Sequence, residues 1–376
     1  MKMNWKNMLT VAMMATVAMS VTSCDDDDND DELSAKEKTL QVVNKNFVEN
    51  TLQPTYEGLV AATGKMIENI EAKDYAAAAT SWKEARKYWE WSEAFLFGAA
   101  STYGIDPHID TWPFDAASFE NYVAKYNPAT NESDAAILEE AIATGQSLTG
   151  FHAVEYLLFR NGAVRTSLTD DEAWFAKAAA EDLYLNACKL VAAWDGDLTK
   201  DQEALLEEAE FEADDFGDEF EDAGFAGSRW KTVTAATVQI IEGCQDIIDE
   251  VAHSKIGAPY TGEDENYIES PHAYNSITDF YDNIMSVKNS LYGLTPSDNN
   301  TGITAPAAGS LITYSLVSAP TQTAKVTAAL EAALLAINNM PKPFVLNYQD
   351  AKVGLAIDAL ELLDSTLDDL KESLGE

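Results

Sequence analysis

The sequence predicts an all-α protein, two helical-bundle halves behind an export leader. Three observations carry that prediction. From Ser34 onward apolar residues recur at intervals of three and four, alanine is abundant, and no stretch alternates as a half-buried strand does. The spacing predicts helices near 35–50, 54–72, 75–98, 133–160, 170–195, 200–216, 228–254, 275–293, 320–338 and 350–373. Asp74, Ser133, Thr169 and Asp350 stand where N-caps belong, and Gly98 and Gly293 where helices should stop. So many amphipathic helices bury their apolar faces most simply as antiparallel bundles. A break near 196–202, or in the Gly-containing stretch 217–227, divides the body; taken at 200 it gives an N-terminal half, 35–200, and a C-terminal half, 201–376. The longest connections, 99–131, 255–271 and 294–310, are rich in Pro, Gly, Asn and Thr, and are candidates for function.

The leader is legible on its own. Lys2 and Lys6 precede an apolar run, Met8 to Val21, that ends in Val21-Thr22-Ser23-Cys24. This is the layout of a secretory signal, too short for a spanning helix. The segment resembles a bacterial lipobox, with Val21 where leucine is commonest. The resemblance implies that residues 1–23 are a lipoprotein signal peptide and that Cys24 is the lipidated first residue of the mature chain. Residues 25–32 are seven acids and one asparagine, a like-charge block that cannot pack, so 24–34 reads as a tether. An acidic run there also resembles the surface-export signal of Bacteroides-type lipoproteins. The expected location is the cell envelope, at the outer membrane, with a lipid-anchored chain.

Charge narrows the partners. With 64 acidic and 24 basic residues among 376, the formal net charge is −40. The leader holds two lysines and no acid, so the remainder carries −42. That surface repels nucleic acid and anionic lipid, and it either keeps the protein soluble or draws cations. Eleven acids fall between Glu203 and Asp222, interleaved with Phe211, Phe216 and Phe220. The pattern lacks the alternation of a calcium loop and reads as a solvated acidic helix face. Cys188 and Cys244 lie in apolar helical stretches and read as buried free thiols, with no zinc-type spacing.

Two stretches could carry chemistry. In Gly150-Phe151-His152-Ala153-Val154-Glu155-Tyr156, His152 and Glu155 share one face of a helix that is otherwise apolar. Buried without partners they would cost several kcal/mol, so they are either a satisfied core pair or part of a site. Arg86, Glu90 and Glu93 fall at i, i+4 and i+7 on a helix whose other sides are aromatic. The following Asp110-Thr111-Trp112-Pro113 is a rigid loop suited to a pocket rim. These stripes are expected to meet in one interior cleft, Arg86 pairing with Glu155 or Glu93, with Asp110 and Trp112 at the mouth.

The motif from Gly150 to Phe159 resembles the Gly-x-His-x-x-Glu signature of the imelysin-like family, historically called insulin-cleaving membrane proteases. The resemblance extends to Arg86 and the Glu93–Gly98 segment, Asp110-Thr111-Trp112-Pro113, Lys255-Ile256-Gly257, Glu269-Ser270 and the Asn275–Gly293 segment. It departs at Pro271-His272-Ala273, where an aromatic and a serine are commoner, which bears on any role for a hydroxyl at 273. The resemblance implies an all-helical fold of two four-helix-bundle-like halves. It places a site near their interface, with His152, Glu155, Arg86, Glu93, Asp110, Trp112 and Ser270. It also brings an association with iron uptake, hence a divalent metal, iron or a small ligand as the bound partner. The alternative is a zinc-type metallopeptidase using His152 and Glu155. Zinc needs about three protein ligands and a water; the usual His-Glu-x-x-His pair is absent, and only His108, His253 and His272 remain. The residues favour binding over catalysis.

Overall fold

Helical periodicity is realised almost throughout the computed structural model, which describes residues 33–124, 141, 148–302 and 304–375. Helix α1 (Ala35–Asn46) passes through a π-helical turn, Phe47–Leu52, into α2 (Gln53–Glu71). Helix α3 (Tyr75–Glu90) starts at Asp74, whose carboxylate accepts from the Ala77 N–H at 3.0 Å. Helix α4 (Gly150–Leu158) carries the His152 motif. Helix α5 (Asp170–Ala193) opens on a capping box between Thr169 and Glu172. Helix α6 (Val233–Asp249) closes on a second π-helical turn, Glu250–Lys255. Helix α7 (Ser276–Tyr292) stops at Gly293, which takes a left-handed φ of +63°. Helices α8 (Pro320–Asn338) and α9 (Ala351–Ser373) finish the chain, α9 capped by Asp350.

Four expectations change. The α3 helix ends at Glu90, not Gly98, and Glu93–Phe95 form a 3₁₀ turn. There Ser92 Oγ donates to the Trp89 carbonyl at 2.6 Å, and the Ala94 N–H turns outward to Ser286 Oγ at 3.1 Å, so side chains replace the helical ladder. The helix expected over 133–160 is described only from Gly150, and Ser133 lies outside the described residues. It gives way at Phe159–Arg160, which pairs antiparallel with Ala163–Val164. Asn161 and Gly162 supply φ of +50° and +78°, the two positive angles that a two-residue hairpin turn requires. The acidic stretch is not one solvated face. It breaks into Lys200–Glu208 and Phe216–Glu221, and Phe216 and Phe220 are fully buried. Finally, the connections hold short helices, including Asp106–Ile109 and Pro296–Thr301.

Packing sorts the helices into two groups. In one, α2 lies between α3 and α5, with α4 against α3 and α5; in the other, α6, α7, α8 and α9 pack together. Helix α1 lies on α6, α7 packs on α3, and the 93–95 turn rests on α6. One apolar core, from Val43 to Leu374, runs through both groups. Cys188 and Cys244 are buried and unpaired within it. Among the described residues no helix is long and apolar enough to cross a membrane.

Helix α6 meets the turn after α3 closely at Gly243, where an added Cβ would lie 2.2 Å from the Ala94 carbonyl oxygen. Backbone cannot yield as a flexible side chain can. Gly243→Ala is therefore expected to lower the unfolding free energy by about 1–3 kcal/mol despite alanine's better helix propensity. A denaturant titration showing stabilisation would contradict this contact.

Candidate functional site

Two polar stripes face each other at the seam between the groups. Arg86 and Glu90 on α3, followed by the 93–95 turn, run alongside Asp279, Asn283 and Ser286 on α7. The rungs match in order. Arg86 Nε lies 3.8 Å from Asp279 Oδ1, Asn283 Nδ2 donates to Glu90 Oε2, and the Ala94 N–H donates to Ser286 Oγ. Asp279, Asn283 and Ser286 have the same i, i+4, i+7 spacing as Arg86, Glu90 and Glu93.

Arg86 is the hub. Its Nη1 is ion-paired with Asp110, and its Nη2 with Glu90 and, at 2.5 Å, with Glu269 Oε1. Its guanidinium lies 5.2 Å from the centre of the Phe151 ring. Asp110 Oδ2 accepts from Trp89 Nε1 at 2.7 Å. Asp110 is thus buried at the centre rather than placed at a mouth. Arg86 takes Asp110, Glu90 and Glu269 rather than the expected Glu155 or Glu93. Burial works against the Asp110 carboxylate, but Arg86 beside it, with His152, holds its pKa well below the ordinary range.

His152 and Glu155 meet the hub from α4. His152 Nε2 lies 3.3 Å from Asp110 Oδ1, and Nδ1 lies 3.3 Å from Glu155 Oε2. Burial disfavours the imidazolium, yet Asp110 and Glu155 outweigh it and raise the His152 pKa to about 9. Glu155 Oε1 accepts from the backbone N–H groups of His272 and Ala273 at 2.8 and 2.7 Å. Position 273 therefore contributes its main chain, and an alanine there keeps the contact. The same loop is braced from the hairpin, where the Gly162 N–H donates to the His272 carbonyl at 2.8 Å. Ser270 and Tyr274 take left-handed φ of +46° and +57°, a strained loop that the surroundings hold in place.

Lys255 is the second cation, delivered by the π-helical turn after α6. Its Nζ lies 3.0 Å from Glu269 Oε1 and 3.7 Å from both Glu90 and Glu93. The ammonium stands 5.1 Å from the Trp112 ring, which packs against Tyr267 at 5.0 Å. Trp112 is partly exposed, as expected of a rim residue. Glu93 joins the cluster through Lys255. Lys255, Glu269, Asp279 and Asn283 were absent from the expected set. The visible signal was the stripe on α7, a polar face on a helix that is otherwise core.

Acids outnumber bases here. Glu90, Glu93, Asp110, Glu155, Glu269 and Asp279 are buried against Arg86, Lys255 and His152, six to three. Burial raises Glu90 and Glu93 well above ordinary carboxylates, against the pull of Arg86 and Lys255 on Glu90 and of Lys255 on Glu93. Burial likewise raises Asp279 to about 7 despite Arg86. Among the described residues Glu269 Oε2 and Asp279 Oδ2 have no hydrogen-bond partner, and the buried Ser270 hydroxyl lies beside Asp279 without closing a bond of normal geometry. Oxygens of Glu90, Glu269 and Asp279 come within 4.8 Å of one another, as do ligand atoms of Asp110, His152 and Glu269. Unpartnered buried oxygens at converging carboxylates fit a cation.

The raised values set a pH dependence. A folded-state pKa of about 7 for Asp279 and about 9 for His152 means that each holds its proton more tightly folded than unfolded. The stability this confers is full below the unfolded pKa and is lost as pH rises through 7 and then 9. Asp110, shifted the other way, is ionised throughout that window and contributes no slope. The thermal midpoint of metal-free protein should fall between pH 6 and pH 9, with the lower part of the fall flattened in Asp279→Asn. A midpoint that rises with pH would overturn this assignment.

Comparison with known proteins places the chain. The imelysin family model matches residues 50–374. Iron-regulated protein A of Synechococcus elongatus is 29% identical over 246 residues, 63% of this chain. The chain spans 60% of the length of that curated relative. A solved structure from Parabacteroides distasonis, assigned as an iron-regulated protein A precursor, is 26% identical with a TM-score of 0.73, covering 92% of this chain and 97% of that one. An imelysin-like protein from Psychrobacter arcticum, 13% identical with a TM-score of 0.64, covers 89% of this chain and 94% of its own, and shares the fold. With its signature motif on α4, its all-helical architecture and a family match over most of its length, the chain belongs to the imelysin family.

Proposed function

We propose that this protein is a lipid-anchored envelope protein that binds a hard metal cation, with iron as its cargo, in the buried acidic cluster. The observation that carries the reading is the charge deficit among the described residues: six buried carboxylates face three cationic groups, and oxygens of Glu269 and Asp279 lack partners. Such a cluster is stabilised either by protons or by a cation. Carboxylate oxygens suit hard cations, and iron is favoured by two relatives named as iron-regulated proteins. Glu90 on α3, Glu269 on the loop and Asp279 on α7 would hold the ion. It would supply positive charge where these three segments meet.

The peptidase alternative is less well supported by this geometry. Both ring nitrogens of His152 face carboxylates, Nε2 toward Asp110 and Nδ1 toward Glu155, each at 3.3 Å. Glu155 is committed to two backbone amides and to His152. Both residues act here as fasteners between α4, Asp110 and the 270–275 loop.

Metal analysis and calorimetry with Fe(II) and Mn(II) should find a bound cation that raises the thermal midpoint. Glu269→Gln with Asp279→Asn should weaken binding at least tenfold while the fold persists. Insulin or casein hydrolysis abolished by both His152→Ala and chelation would reverse the preference for binding. The anchor is tested separately: Cys24→Ser should move the protein from the membrane to the soluble fraction, and continued detergent-dependent membrane association would sink that part of the proposal.

A further inference from the structure

We propose that Lys255 is an internal stand-in cation, whose ammonium engages Glu90 and Glu269, two of the three carboxylates that would hold the metal ion, along with Glu93, and leaves them when the ion arrives. The inference rests on the cation-binding reading above. Three carboxylates from three segments, α3, the 93–95 turn and the 269 loop, converge on Nζ. Yet the ammonium fits them poorly. It has three N–H donors and makes one hydrogen bond, to Glu269 at 3.0 Å; Glu90 and Glu93 at 3.7 Å are beyond hydrogen-bond reach. A divalent ion drawing the oxygens of Glu90, Glu269 and Asp279 to between about 2.0 and 2.6 Å would satisfy its ligands more fully. It would also carry two charges where lysine carries one.

The lysine has somewhere to go. It ends the π-helical turn Glu250–Lys255, a conformation that functional sites use and that a shift to regular helix would re-aim. Glu250 and Ser254, in the same turn, line an open acidic groove of about 700 Å³ with Asp246, Asp249 and Asp364. The groove offers carboxylates and water to a displaced ammonium. The stand-in role accounts for a fully buried lysine at a seat of this kind: it neutralises the carboxylates when no metal is bound, and it sets the affinity through competition.

The experiment compares Mn(II) binding to wild type and Lys255→Met by calorimetry. The variant should bind at least tenfold tighter, because the competitor has gone. Equal or weaker binding by Lys255→Met, with wild type binding normally, overturns the stand-in role and leaves the cation reading intact. Absence of binding by both proteins overturns the cation reading and this inference with it. A second measurement needs no variant. Acetic anhydride labelling of wild type, read at Lys255 by mass spectrometry, should increase at least tenfold on saturation with Mn(II). Labelling unchanged by saturating Mn(II) also overturns the displacement.

Discussion

The guanidinium of Arg86 is the constraint on which the rest of the structure depends. Its fork reaches Asp110 after α3, Glu90 on α3 itself and Glu269 before α7, while Nε faces Asp279 on α7. A lysine could not do this, because a point ammonium lacks the planar, divergent donors that hold several carboxylates in fixed directions. Taking these charges out of water is costly, and their attraction repays it only when the geometry is good. Removing one member of such a buried set costs about 3–5 kcal/mol, since the rest are left uncompensated. Both helix groups must therefore keep one register across the seam.

Around that hub the interior is organised by who neutralises whom. Asp110 is claimed by Arg86, His152 and Trp89, Glu155 by backbone amides, and Glu269 by Arg86 and Lys255. Glu90 pairs with Arg86 and accepts from Asn283, whereas Asp279 has the weaker claim: Arg86 Nε stands 3.8 Å away, and the Asn275 amide that bonds to it cannot cancel a charge. The supply of positive charge thins toward Asp279. Surface acidity is handled differently. Arg229 ties Asp214, in the link before the Phe216–Glu221 helix, to Glu219 within it, and solvent screens the remainder.

Much of this was readable in the sequence because burial of charge is rare and leaves a pattern. The stripe on α3 and the His152–Glu155 pair stood out as ionisable groups on apolar helices, and both lie in the cluster. Four caps were proposed from residue type; Asp74, Thr169 and Asp350 act as such in the described chain. Glu269 and Lys255 escaped because each sits at the edge of an irregular segment, where periodicity says nothing about which way a side chain points. The partner of Arg86 could not be chosen from spacing, since every acid within reach is an equal candidate until the fold fixes distances. The hairpin was missed because each strand is two residues long, although Asn161-Gly162 is a strong turn signal. The early end of α3 came from Ser286, a residue 192 positions away from Ala94, which no local rule can see.

That long reach bears on when the site can come into being during folding. The contacts that build it join residues separated by 183 positions for Arg86 and Glu269 and by 117 for Glu155 and His272. Closing loops of that size is entropically expensive, and non-local contacts form late. A nascent chain that has not yet reached Asp279 holds only fragments of the cluster, each acid still hydrated. Assembly of the centre is thus a terminal event, and its completion reports that the whole helical body has docked.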